Sequence, residues 1–221
     1  MEQSTEDHAR LAQLGELIAG SPHNLVSRSE RARVSEVHIP EAVSLVPHLG
    51  AASGSRWLDL GTGGGLPGLV LALCMPEVRW VLLDSVGKKI AAVESFAAAL
   101  ELENVSTICG RAEDLAHQPL WRGAFDGAVA RAVAPLPVLL ELARGFLPAG
   151  AVLVCVKGPT WEDEIKAAAE AARVLGWAHL DTVEVKDAVR PTWLVRMRAE
   201  GDIPRRYPRR AGVPKASPIG G

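Results

Sequence analysis

A run of glycines flanked by carboxylates is where chemistry first becomes legible in this chain. Asp59-Leu60-Gly61-Thr62-Gly63-Gly64-Gly65-Leu66-Pro67-Gly68 joins a short apolar run to a stretch of helical period. Glycine in such a loop lets backbone approach a ligand with no side chain between, and it accepts positive φ without strain. Two ligand classes fit. Gly63, Gly65 and Gly68 satisfy G-x-G-x-x-G, a dinucleotide pattern that is weak when taken alone. Asp59 ahead of Gly61-x-Gly63 favours S-adenosylmethionine over NAD, since a carboxylate can orient the loop near an ammonium group but repels a pyrophosphate.

Further polar residues fall at the ends of later apolar runs. Asp84 lies 23 positions after Gly61, where a carboxylate can accept two ribose hydroxyls. NAD sites use the same device, and a solvated strand-end Asp needs no ligand. Gly110-Arg111-Ala112-Glu113-Asp114-Leu115 can bracket an adenine with backbone and carboxylate groups, or it is a helix start whose acids complement the dipole. Arg131 closes the fourth run and Lys157 the fifth, so both should emerge at the same sheet edge as the glycine loop.

The elements that hold these residues follow from periodicity. Trp57 to Leu60, Trp80 to Leu83, Val105 to Ile108, Gly127 to Ala130 and Ala151 to Val156 alternate with helical stretches, Leu66 to Cys74, Lys88 to Leu102, Leu136 to Leu147 and Trp161 to Leu175. That alternation implies an α/β fold with a doubly wound, mostly parallel sheet. Ala178 to Val185 and Thr192 to Arg198 leave no room for a crossover helix and should pair antiparallel. Ahead of the sheet, Ser4 can cap a helix carrying Leu11, Leu14, Leu17 and Ile18, and helical stretches at Ser29 to His38 and Glu41 to Leu49 should be interrupted at Pro40. The expected organisation is a helical cap at 1–50, a ligand-binding domain at 51–200 and an extended basic tail at 201–221.

Composition narrows the class. Apolar residues make up 48% and charged residues 23% of 221, an ordinary globular balance. Cys74, Cys109 and Cys155 show no C-x-x-C spacing and read as reduced core residues, neither disulfide framework nor metal site. No apolar run reaches membrane-spanning length and no leader pattern opens the chain, so a cytoplasmic protein is expected. Net charge is only −2, but from Arg190 onward eight basic residues face two acidic ones. Phosphates are the natural partners of such a stretch, through Arg205, Arg206, Arg209, Arg210 and Lys215, with Lys88 as a further candidate outside it. A solvated tail is the alternative.

Several longer segments together resemble the RsmG (GidB) methyltransferases. They are Asn24-Leu25-Val26-Ser27, His38-Ile39, the loop with its Leu66-Pro67-Gly68 extension, Leu83-Asp84-Ser85-Val86-Gly87-Lys88-Lys89, Gly110 to Asp114, Arg131-Ala132-Val133-Ala134-Pro135-Leu136, Val156-Lys157-Gly158 and Tyr207-Pro208-Arg209-Arg210. The resemblance implies a Rossmann-like class I fold and S-adenosylmethionine-dependent transfer to a guanine N7 of 16S ribosomal RNA or the small ribosomal subunit. It also implies that Gly61, Leu66, Ala112, Glu113 and Arg131 contact the cofactor, beside Asp59, Gly63 and Asp84. Where the family carries Asp-Ser after His-Ile-x, this chain carries Glu41-Ala42. Guanine N7 has a free in-plane lone pair, so no catalytic base or metal is required, and the task is alignment at roughly 3 Å. Lys157 is the candidate catalytic group, donating to guanine O6, with Arg131 as the alternative donor. An NAD-dependent oxidoreductase and a non-catalytic ribosome-binding protein remain the rival readings.

Overall fold

The computed structural model describes residues 5–27 and 29–221. The proposed Ser4 cap lies outside the described residues. The apolar runs form strands β1 Arg56–Leu60, β2 Arg79–Asp84, β3 Val105–Cys109, β4 Gly127–Arg131, β5 Val152–Lys157, β6 Trp177–Glu184 and β7 Trp193–Ala199. Their lateral order is β3-β2-β1-β4-β5-β7-β6. Neighbours from β3 to β5 run parallel, and β7 is antiparallel to both β5 and β6. The direction of winding reverses between β1 and β4, which places a crevice beyond their carboxyl ends.

Two-residue alternation along each strand divides the core. Trp57, Trp80, Leu82, Val129, Val154 and Leu194 pack on one face with α1 Thr5–Gly20, α2 Ile39–Leu49, α3 Gly68–Cys74 and α4 Gly87–Ala99. Leu58, Leu60, Val81, Leu83, Ala130 and Cys155 pack on the other with α5 Ala112–Leu115, α6 Leu136–Arg144 and α8 Ala169–Leu175. The N-terminal helices therefore share one apolar cluster with the sheet. Among the described residues no helix is long and apolar enough to cross a membrane.

Four local expectations need correction. Pro40 does not interrupt a helix: it sits in the first turn of α2, where its missing N–H is not needed, and a 3₁₀ turn at Arg31–Arg33 and a π turn at Val34–His38 lead into it. The stretch Trp161 to Leu175 is two helices, α7 Trp161–Ala167 and α8, separated at Ala168. Cys109 is exposed at the end of β3, whereas Cys74 and Cys155 are buried, and burial pushes the Cys155 thiol up to about 12.

The last correction is the C-terminal segment, which is packed rather than extended. Tyr207 enters the core, and Arg122 donates to the carbonyls of Ala116, Pro204 and Tyr207 at 3.0–3.2 Å. Arg144 is fully buried and gathers chain ends: Nε donates to Leu175 O at 2.7 Å, Nη1 to Leu147 O at 2.6 Å, and Nη2 to Glu200 O and Gly201 O at 2.9 Å. Buried carbonyls left without donors are costly. Replacing Arg144 with Met should therefore lower unfolding free energy by about 3–5 kcal/mol. Urea midpoints at constant m would test this, and a loss under about 1 kcal/mol would mean that water or backbone replaces the guanidinium.

Candidate functional site

The loop after β1 is shaped from beneath by one buried carboxylate. Asp59 Oδ2 accepts from Thr62 Oγ1 at 2.6 Å and from the first amide of α3, Gly68 N, at 2.9 Å. From the far side, the amides of Gly61 and Thr62 both donate to Leu83 O at 2.8 Å. These ties demand φ of +76° at Gly61 and +59° at Gly63, values a glycine adopts freely. A Cβ on Gly63 would meet nothing nearer than Leu25 O at 3.9 Å, so the space in front of the loop is open for a ligand.

Asp59 itself is 1% exposed and lines neither cleft at the loop. It shapes the loop from beneath. Burial pushes its carboxyl up to about 6, against the hydrogen bonds from Thr62 and Gly68.

Two clefts share Gly61, Lys89 and Ala132. The first, about 290 Å³, is walled by Asp84, Ala112, Glu113 and, from the C-terminal segment, Pro214 and Lys215. Asp84 is held by Gly63 N on Oδ2 at 3.0 Å and Val86 N on Oδ1 at 2.9 Å, which leaves each oxygen a further acceptor position. Glu113 Oε1 accepts from Gly212 N and Arg111 Nη2, both at 2.9 Å. Burial works to raise the Glu113 pKa, but those bonds hold it below the ordinary value. The second cleft contains Thr62, Gly63, Leu66, His38, Arg131 and Arg190.

A third cavity of about 900 Å³ opens beyond Arg131 and Ala132. Its apolar walls include Val133, Pro135, Pro159 and Pro191, and its polar groups are Glu41, Arg131, Lys157, Glu164, Arg190 and Thr192. Lys157 Nζ donates to Ala134 O at 3.2 Å and Glu164 Oε2 at 2.7 Å. Glu41 accepts both Arg190 Nε at 2.5 Å and Nη2 at 2.7 Å, and stands 3.8 Å from Arg131 Nη1. Arg131 Nη1 is buried with no hydrogen-bond acceptor, and burial lowers the pKa of that guanidinium. Ala132, where the three cavities meet, has φ +56°, a strained conformation for a residue with a Cβ.

The structure thus brings Gly61, Gly63, Leu66, Asp84, Ala112, Glu113, Arg131 and Lys157 to one edge. Lys88, Arg205, Arg206 and Arg210 are exposed away from those walls. Arg209 is turned inward: its guanidinium binds both oxygens of buried Glu141, at 2.9 and 2.6 Å, and Ser217 O at 2.8 Å. Lys215 belongs to the first cleft. Sequence reasoning gave no site role to Thr62, Lys89, Glu41 or Arg190, although Thr62 lay in the glycine loop, Lys89 in the segment after Asp84 and Glu41 in the pattern after His38-Ile39; the Glu41–Arg190 pair spans 149 positions.

A family model described as GidB, rRNA small subunit methyltransferase G, matches residues 8–192. Curated relatives named ribosomal RNA small subunit methyltransferase G include one from Deinococcus radiodurans, 40% identical over 97% of this chain and 85% of its own. Another, from Rubrobacter xylanophilus, is 35% identical over 99% of this chain and 86% of its own. Among solved structures, MtNAS in complex with MTA and tNA superposes with TM-score 0.59 at 12% identity, covering 87% of this chain and 71% of that one. A precorrin-6y methyltransferase from Geobacter metallireducens superposes with TM-score 0.54 at 16% identity, covering 81% and 93%. At such identities these two speak for the Rossmann-like fold.

The raised Asp59 pKa has a signed consequence. Unfolded, the carboxyl ionises near 3.8, and folded near 6, so between those values the native state holds the extra proton and loses stability as pH rises. Unfolding free energies of wild type and Asp59→Asn, compared from pH 4 to pH 7, should diverge in the variant's favour by about 2–3 kcal/mol. A difference that stays flat across this window would show that Asp59 ionises normally beneath the loop.

Proposed function

The chain belongs to the rRNA small subunit methyltransferase G family, and from that premise we propose that it transfers a methyl group from S-adenosylmethionine to a guanine N7 of 16S ribosomal RNA. The observation that carries this reading is the junction at Ala132, where a loop-lined cleft pair meets an apolar cavity with wall area for a planar base. When bound, S-adenosylmethionine supplies an electrophilic methyl on a sulfonium centre. The residues present fit it: an open glycine cradle, Asp84 with spare acceptor positions, and a buried guanidinium nitrogen without an acceptor.

In this reading Asp84 accepts the ribose hydroxyls, while Ala112 and Glu113 border the adenine, and Gly61, Gly63 and Leu66 hold the methionine portion. Arg131 Nη1 donates to the methionine carboxylate, with Glu41 balancing its charge from 3.8 Å. The guanine enters the third cavity between proline and valine walls, which offer apolar surface to its ring faces. N7 offers its lone pair without losing a proton, so the chain's contribution is alignment. Lys157 donates to O6 and steadies the charge that arrives on the ring. Its distance from N7 is maintained by Ala134 O and Glu164, which prevents it from competing for the lone pair. The RNA's phosphates are held by Lys88, Arg205, Arg206 and Arg210, and the same reading places the activity in the cytoplasm.

Mass-spectrometric mapping of 16S RNA nucleosides with and without the protein tests the reaction. Loss of one 7-methylguanosine in its absence is expected, and an unchanged map would remove the assignment. Gly63→Ala should fold but bind S-adenosylmethionine more than about 10-fold more weakly, 1.4 kcal/mol on the affinity scale. Calorimetry giving parental affinity would take the loop out of the site. Arg205, Arg206 and Arg210 changed together to Ser should flatten the salt dependence of RNA binding by about 0.7 per lost single-strand contact. Parental affinity and slope at every salt concentration would assign the segment a structural role alone.

A further inference from the structure

We propose that Glu164 is a specificity-determining residue that reads the base edge of the acceptor guanine, acting with Lys157 as a donor–acceptor couple. The inference rests on the guanine reading above and deepens it.

Three observations carry the inference. First, the groups form an ordered chain leading away from the cofactor clefts: Ala134, whose wall is shared with the first cleft, accepts from Lys157 Nζ at 3.2 Å, and Lys157 reaches Glu164 Oε2 at 2.7 Å. Guanine presents its groups in the same sequence. N7 faces the methyl donor, O6 beside it accepts, and N1–H and the N2 amino group donate beyond. Second, Glu164 Oε2 is already occupied by Leu136 N at 2.8 Å and by Lys157, which fixes the carboxylate while Oε1 remains available to N1–H and N2–H. Third, both side chains line the same cavity, between Pro135 and Pro159, so a base seated there meets the ammonium and the carboxylate together, and a base with mismatched polar groups is penalised. Adenine would set its 6-amino donor against the ammonium and its N1 lone pair against the carboxylate, and both contacts repel.

A purely structural Glu164, serving only to anchor Leu136 N and neutralise Lys157, would alter all substrates equally. The discriminating experiment uses full-length protein and RNA carrying guanosine or inosine at the mapped acceptor position, since inosine lacks only the N2 amino group. Wild type should lose roughly 10–100-fold in kcat/KM on inosine, the range for one hydrogen bond to a charged acceptor. In Glu164→Gln, guanosine turnover should fall toward the inosine value, so that the inosine penalty shrinks while S-adenosylmethionine affinity is unchanged. If that variant fails to fold, Glu164→Asp carries the same comparison, its shortened carboxylate shrinking the inosine penalty. An equal wild-type rate on both RNAs, or an inosine penalty as large in the variant as in wild type, overturns the proposal. Absence of transfer to the guanosine RNA by wild type would instead overturn the parent reading.

Discussion

The site depends on a carboxylate placed where the strand pattern calls for an apolar residue. Asp59 occupies the same face of β1 as Trp57, under α3, and is shielded from water. Its desolvation is only partly offset by Thr62 Oγ1 and Gly68 N, which tie the start, middle and end of the loop to one atom. Without that tie the glycines would have no reason to hold their positive φ values, and their freedom would work against a single loop shape. The same bond satisfies the first amide of α3. Loop shape, helix start and cleft floor are consequences of one buried group.

On the opposite side of the junction, geometry is set by charge. Glu41 from α2 and Arg190 from the turn before β7 meet over the crevice and bring Arg131 into register at the end of β4. His38 joins them, with Nε2 2.7 Å from Glu30 Oε2; burial, then Arg131 and Arg190, depress its pKa. Glu41 spans the gap with a two-pronged contact to Arg190 and so places a carboxylate at the pocket wall.

Much of this was legible beforehand, for physical reasons. Trp80 to Leu83 and Gly127 to Ala130 are buried on both faces and read as strands because parallel sheets require continuous apolar runs. Asp84, Arg131 and Lys157 were found because strand ends in such a sheet converge on one edge. The contact between Arg190 and Glu41 was invisible, since the two residues are 149 positions apart. The C-terminal segment was misread for a related reason: its arginines look like a solvated charge run, yet Arg209 is paired with Glu141, and Arg144 and Arg122 from earlier elements hold the segment's carbonyls. Pairings between distant residues leave no trace in periodicity.

The cleft walls come from the loop after β1, the ends of β2 and β4, the start of α5 and residues 214–215. No contiguous stretch of chain can make half of that site. A ligand that fills it binds only the fully assembled fold, and at a hundred times its dissociation constant it deepens the native state by about 2.7 kcal/mol. That gain is delivered to every element whose opening would dismantle a wall, including the terminal segment clipped to Glu113 through Gly212. Resistance to proteolysis at the chain's end thereby becomes a property of the small molecule bound at its centre.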